Sequence, residues 1–216
     1  FNVESIEELE LINKLAQKME TKANVAFRLN PKVHAKTHKH ISTGYKTHKF
    51  GILAEDIIKT TQDKKYWTHT NLVGISVHIG SQLTELDATK EAIINACKCA
   101  NDLPHKLQFI DVGGGLGVNY HPSNTKAPKV HEYMQLVAEA LSTYQHKVEV
   151  VFEPGRRITA SCGFFVTSVI RSKMSEDCRF LIVDGGMNDF VRPSLYDAYH
   201  EVLAGHDSGE LIETDI

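Results

Sequence analysis

Three short runs in this chain combine residue types that can hold and activate an anionic, ring-bearing ligand. His78-Ile79-Gly80-Ser81-Gln82 offers a flat imidazole that can lie against a planar group, and Ser81 adds a hydroxyl that can donate to an anion. Asp111-Val112-Gly113-Gly114-Gly115-Leu116-Gly117 is a glycine-rich turn; without side chains in the way, backbone N–H groups can converge on a phosphate. It is not a dinucleotide fingerprint, because the last glycine of G-x-G-x-x-G counted from Gly113 would fall on Val118. Glu153-Pro154-Gly155-Arg156 brings a carboxylate that can hold the proton of a pyridine nitrogen, making that ring an electron sink. Its Arg156 supplies a fork of donors for phosphate or carboxylate. Each run also has an ordinary structural use: a tight turn, a surface ion pair, a histidine that caps a strand. Further on, Asp184-Gly185-Gly186-Met187-Asn188-Asp189 is rich in turn formers, and Arg192 and Tyr196 suit either an anionic substrate end or plain solvent.

The elements that must position these residues alternate up to about residue 160. Strands are expected at Phe1–Val3, Asn24–Leu29, Val73–His78, Leu107–Val112 and Val148–Phe152. Helices are expected near Ser5–Met19, Ile52–Gln62, Glu85–Ala100 and His131–Tyr144. The first helix is announced by the S-x-x-E capping box of Ser5 and Glu8, with Ile6, Leu9, Ile12 and Leu15 along one face. Strand–helix alternation implies a parallel sheet covered by helices. The three motifs each follow a strand, and in such folds ligands bind at the carboxyl ends of the strands. Beyond residue 160 the pattern changes: Phe164–Ile170 and Arg179–Val183 are apolar runs joined without a long helix, as in an antiparallel domain. The expected architecture is α/β, a partial TIM (β/α)8 barrel over residues 1–160 followed by the start of a β-rich C-terminal domain over 161–216.

Composition removes several function classes. Of 216 residues, 42% are hydrophobic and 24% charged, as in ordinary globular domains, and the net charge of −3 gives no electrostatic pull toward nucleic acid or an anionic membrane. No apolar run approaches the roughly 18 residues of a spanning helix. Phe1-Asn2-Val3-Glu4 has no signal-peptide pattern and no initiator Met, so the chain is expected to begin inside a longer one. Cys97, Cys99, Cys162 and Cys178 form no zinc spacing and read as reduced thiols of a cytoplasmic protein. The tract His34-Ala35-Lys36-Thr37-His38-Lys39-His40, with His48 nearby, has interleaved lysines and no acidic or thiolate partner, so it reads as a solvated stretch and no metal is expected.

The order of motifs resembles the fold-type III pyridoxal-phosphate (PLP) dependent decarboxylases. Within that family it is most similar to members that act on diaminopimelate. The resemblance rests on HIGSQ, DVGGGLG, EPGR and DGGMNDFVRPSLYDAYH. It extends to Phe1-Asn2-Val3-Glu4-Ser5, Arg28-Leu29-Asn30-Pro31, His40-Ile41-Ser42-Thr43-Gly44 and Lys49-Phe50-Gly51. It implies decarboxylation of meso-2,6-diaminopimelate to L-lysine and CO2 with pyridoxal 5′-phosphate as cofactor. His78 would stack on the cofactor ring; Ser81, Gly114 and Gly115 would hold its phosphate; Glu153 would pair with the ring nitrogen. Pro154, Gly155 and Arg156 would close the phosphate site, with Arg156 also near substrate, and Arg192 and Tyr196 would grip the distal end of the substrate. The family's Schiff-base lysine lies in a Y-x-x-K-A-N stretch that is missing here, and Lys22-Ala23-Asn24 is no substitute because it precedes a later strand. The C-E-S-x-D motif contributed by a partner subunit is missing too, so no catalytic residue is assigned. Only five strands of a barrel are expected where a full one has eight. The chain is therefore expected to be a fragment, inactive by itself, of a homodimeric enzyme. Another basic amino-acid decarboxylase of the same fold, or a non-catalytic relative, is the alternative.

Overall fold

The computed structural model describes residues 1–33, 49–121, 123, 127–205 and 214–216. The histidine tract at 34–40, His48 and the His40–Gly44 run lie outside these residues.

Two units partition the chain, one of residues 1–118 and 126–160, the other of 119–125 and 161–216. In the first, β1 (Asn2–Val3), β2 (Ala23–Arg28), β3 (Thr70–Ser76), β4 (Phe109–Gly114) and β5 (Glu149–Glu153) form one sheet in sequence order, every pair parallel. The connections carry α1 (Ile6–Lys18), α2 (Ala54–Gln62), α3 (Asp87–Asn101) and α4 (Val130–Leu141). That is the arc of a (β/α) barrel, and its elements differ from the expected boundaries by at most three residues. Val25, Phe27, Ile75 and Ile110 from the strands are buried against Leu9, Ile57, Ile93 and Val137 from the four helices. Each such side chain contributes about 1.5–3 kcal/mol relative to exposure, so the core fixes the register that aligns the strand ends.

Local signals are obeyed with two shifts. Ser5 Oγ accepts from the Glu8 N–H at 3.2 Å, as a capping box requires, but the Glu8 carboxylate takes the N–H of Glu4 at 2.7 Å rather than that of Ser5. On α1 it is Leu9 and Ala16 that are buried, whereas Leu15 is exposed. The inward stripe thus lies one residue from the expected position at the end of the helix.

In the second unit β6 (Val169–Ser175) pairs antiparallel with β7 (Cys178–Val183) around a turn with Glu176 at φ 53°. The expected strand from Phe164 is corrected: Phe164–Ser168 stay outside it, and the strand runs on through the mostly polar Arg171–Ser175. Phe165 stacks instead on Phe190, ring centroids 5.3 Å apart. Two helices too short for periodicity to announce are α5 (Gly155–Thr159) in the first unit and α6 (Arg192–Tyr196) in the second. Among the described residues no helix is long and apolar enough to cross a membrane.

Candidate functional site

Parallel register brings the three motif-bearing strand ends side by side. Ser76 of β3 pairs with Asp111 of β4, and Gly114 of β4 pairs with Glu153 of β5. Between Asp111 and Gly114 the register shifts, so the glycine turn bends while both neighbours stay close. A Cβ on Gly113 would lie 2.1 Å from Val77 O, on Gly114 2.0 Å from Glu153 O, and on Gly115 2.2 Å from Gly80 O. Gly113 and Gly115 also have φ of 72° and 91°, where a side chain is strained. These glycines therefore let three loops touch, a stricter demand than room for a ligand.

The turn's amides are largely committed inside the protein. Gly113 N–H donates to Asp111 Oδ1 at 2.8 Å, Gly114 N–H to His78 Nδ1 at 3.3 Å, and Gly117 N–H to Leu83 O at 3.0 Å. Gly114, expected from the resemblance to help hold a phosphate, here donates its N–H to His78 and orients the imidazole. Accepting at Nδ1 requires an unprotonated nitrogen there, and burial together with the Arg28 charge holds the His78 pKa below its usual 6.5 against an opposing pull from Glu153. Asp111, nearly fully buried, is pushed up to about 6, chiefly by burial, with the Gly113 N–H pulling it down and Glu153 raising it.

His78 and Glu153 line one cavity of about 270 Å³, together with Glu4 after β1, Arg28 at the end of β2 and Ser76 of β3. Glu4 forms an ion pair with Arg28 and accepts the Gly51 N–H at 2.8 Å, while the guanidinium lies 4.8 Å from the Phe50 ring centroid. Arg28 is thereby fixed beside His78. Glu4, Arg28, Asp111 and Gln82 fall inside the quoted runs, but motif reading gave them no role. Glu4 and Arg28 carried one usable signal: each closes or follows a strand, the same position that singled out the other three motifs.

Ser81 is half-buried between Gly80 and Gln82, the latter at φ 58°. Pro154 is the N-cap residue of α5 and Gly155 its first residue, with open space where a Cβ would stand. Arg156 Nη1 donates to Gln82 Oε1 at 3.2 Å, and Arg157 Nη1 to Gly117 O at 3.4 Å, so both arginines are anchored to the neighbouring loops. His78, Ser81, Gly114, Gly115 and the Glu153–Arg156 run all belong to this rim. Arg192 and Tyr196 belong to the second unit. There the Arg192 guanidinium lies 5.3 Å from the Tyr120 ring centroid and 5.7 Å from that of Tyr196, and its Nε–H donates to His200 Nε2 at 3.4 Å. In the turn-rich run, Asp184 accepts from Thr167 Oγ1 and the Ser168 N–H, which hold its pKa low; its use there is structural.

An imidazole, a tight glycine turn, and a carboxylate with an anchored guanidinium stand on successive parallel strand ends of a barrel-type domain. Residues 1–160 match the family described as pyridoxal-dependent decarboxylase, pyridoxal binding domain, and the chain belongs to that family. It is 38% identical over 219 aligned residues to the diaminopimelate decarboxylase of Zymomonas mobilis, covering 100% of this chain and 52% of that protein. A crystal structure of diaminopimelate decarboxylase from Helicobacter pylori complexed with L-lysine superposes with TM-score 0.85 at 40% identity, covering 93% of this chain and 50% of that one. A lysine/ornithine decarboxylase from Vibrio vulnificus complexed with putrescine superposes with TM-score 0.73 at 26% identity, over 93% of this chain and 50% of that one. The chain spans about half the length of the curated relatives it matches.

Proposed function

We propose that this chain seats pyridoxal 5′-phosphate and that its protein decarboxylates meso-2,6-diaminopimelate to L-lysine and CO2. The observation that carries the reading is the convergence of His78 after β3, the glycine turn at the end of β4, and Glu153 and Arg156 at and after the end of β5 on one rim. The residues fit such a group. Gly155 leaves open space at the start of α5, the Arg156 guanidinium is anchored beside it, and Ser81 adds a hydroxyl on the neighbouring loop: a donor set suited to a phosphate dianion. When bound, the cofactor supplies the electron sink that accepts the pair left by the departing α-carboxylate.

The chain's own residues prepare that chemistry. Glu153 would hold a proton on the ring nitrogen, and His78, kept neutral and oriented by the Gly114 N–H, would lie against the ring. Ser81, Gly114 and Gly115 would hold the phosphate, with Pro154, Gly155 and Arg156 closing the site and Arg156 also near substrate. Arg192 and Tyr196 would bind the distal end of the substrate. Residues 161–216 would begin a C-terminal β domain, and the protein would act as a cytoplasmic homodimer with shared sites. Support for diaminopimelate over other basic amino acids is the higher identity to the diaminopimelate enzymes, 40% against 26% for the lysine/ornithine enzyme. The test is CO2 release by the protein from diaminopimelate, lysine, ornithine and arginine. Turnover of diaminopimelate alone is expected; turnover of ornithine alone would overturn the assignment.

A further inference from the structure

We infer that Gln82 is a positioning residue that sets the direction of the Arg156 guanidinium and joins the three rim loops into one anion cradle. The proposal rests on the reading of this rim as the cofactor's phosphate site. Gln82 Nε2 donates to Val118 O at 2.6 Å, and Gln82 Oε1 accepts the Val118 N–H at 3.2 Å. This two-point pairing of a side-chain amide with a backbone peptide fixes the plane of the amide. The same Oε1 accepts from Arg156 Nη1 at 3.2 Å, across a sequence separation of 74 residues. One side chain therefore links the loop after β3, the end of the glycine turn and the first turn of α5.

The backbone around Gln82 is built for the same end. Its φ of 58° lies in the left-handed region, which a glutamine rarely adopts. On its far side Leu83 N–H donates to Gly115 O at 2.8 Å and receives the Gly117 N–H on its own carbonyl at 3.0 Å, which locks the two loops in parallel. A glycine or asparagine would suit that backbone better, so the geometry is held by what the side chain reaches. Occupying one terminal nitrogen of Arg156 turns a flexible cation into an oriented one, and guanidinium recognition of phosphate depends on orientation as well as charge.

The experiment is a double-mutant cycle of Gln82→Asn and Arg156→Gln in the purified apo-protein. Asparagine tolerates the left-handed backbone but is too short to span both partners. Calorimetric titration uses pyridoxine 5′-phosphate and pyridoxine, which differ by the phosphate and carry no aldehyde to react with amines. The expected result is that each single substitution weakens the phosphorylated ligand roughly tenfold, leaves pyridoxine unchanged, and that the double variant binds no worse than Arg156→Gln alone. A general packing defect would weaken both ligands together and overturn the inference. So would a loss in the double variant equal to the sum of the two singles, or no loss in Gln82→Asn while Arg156→Gln is impaired; in both cases the phosphate-site reading stands. If Arg156→Gln itself leaves both ligands unchanged, the phosphate-site reading fails and this inference with it.

Discussion

Replacing Asp111 by Asn should stabilise the protein at neutral pH and do nothing at acid pH. Asp111 sits 3% exposed near the end of β4, its Oδ1 accepting the Gly113 N–H at 2.8 Å. Burial lifts its pKa from 3.8 to about 6, more than the Gly113 N–H lowers it, and Glu153 lifts it further. An acid whose folded pKa exceeds its unfolded value keeps its proton longer in the native state. Its contribution is therefore fully present below pH ~4, declines as pH rises to ~6, and is constant above that. A shift of about two units corresponds to roughly 3 kcal/mol of destabilisation at pH 7.5. Asparagine keeps the acceptor oxygen but cannot ionise, and the shifted pKa already includes the pull of the Gly113 N–H. The net expectation is a gain of about 3 kcal/mol at pH 7.5, shrinking to near zero at pH 4. Urea unfolding at pH 4, 5, 6 and 7.5 measures it. A variant less stable than the parent at pH 7.5, with parity at pH 4, would mean that the ionised carboxylate is needed in the fold and would refute the reasoning.

Other perturbations follow from the same geometry. Gly114→Ala would put a Cβ 2.0 Å from Glu153 O and should cost more than about 2 kcal/mol in urea unfolding, whereas Gly155→Ala meets no atom within 4 Å and should leave the unfolding midpoint unchanged while weakening PLP binding. Arg28→Met removes the cation that disfavours imidazolium, so the His78 pKa read by NMR should rise relative to the parent. Glu153→Gln should lower decarboxylation about 100-fold or more while PLP remains bound, as read by absorbance, because only the charge on the ring nitrogen's partner is lost.

Much of the arc was legible because β2, β3 and β4, buried on both faces, appear as short apolar runs, and the helices between the strands carry a 3.6-residue period. The motifs were legible because each follows such a run directly. β6 was misread because its residues are all exposed, so burial imposes no apolar pattern on Arg171–Ser175 and the apolar run Phe164–Val166 drew the boundary forward. The five-residue helices α5 and α6 are too short to show a period. The roles of Gln82 and Arg28, though both lie in quoted runs, were hidden for a different reason: the Gln82–Arg156 bond joins residues 74 apart and the Arg28–Glu4 pair residues 24 apart, and no local pattern encodes such contacts. The amide of Gly114 illustrates the same limit. Its glycine was evident, but its donation to His78 depends on a bulge that only the paired strands create.

A crystal structure of the protein with pyridoxal 5′-phosphate tests the central claim most directly. The ring is expected against His78 with its nitrogen at Glu153, and its phosphate against Ser81, Gly155 and Arg156. Density for the ring outside that cradle, or a phosphate out of reach of Arg156, would contradict it.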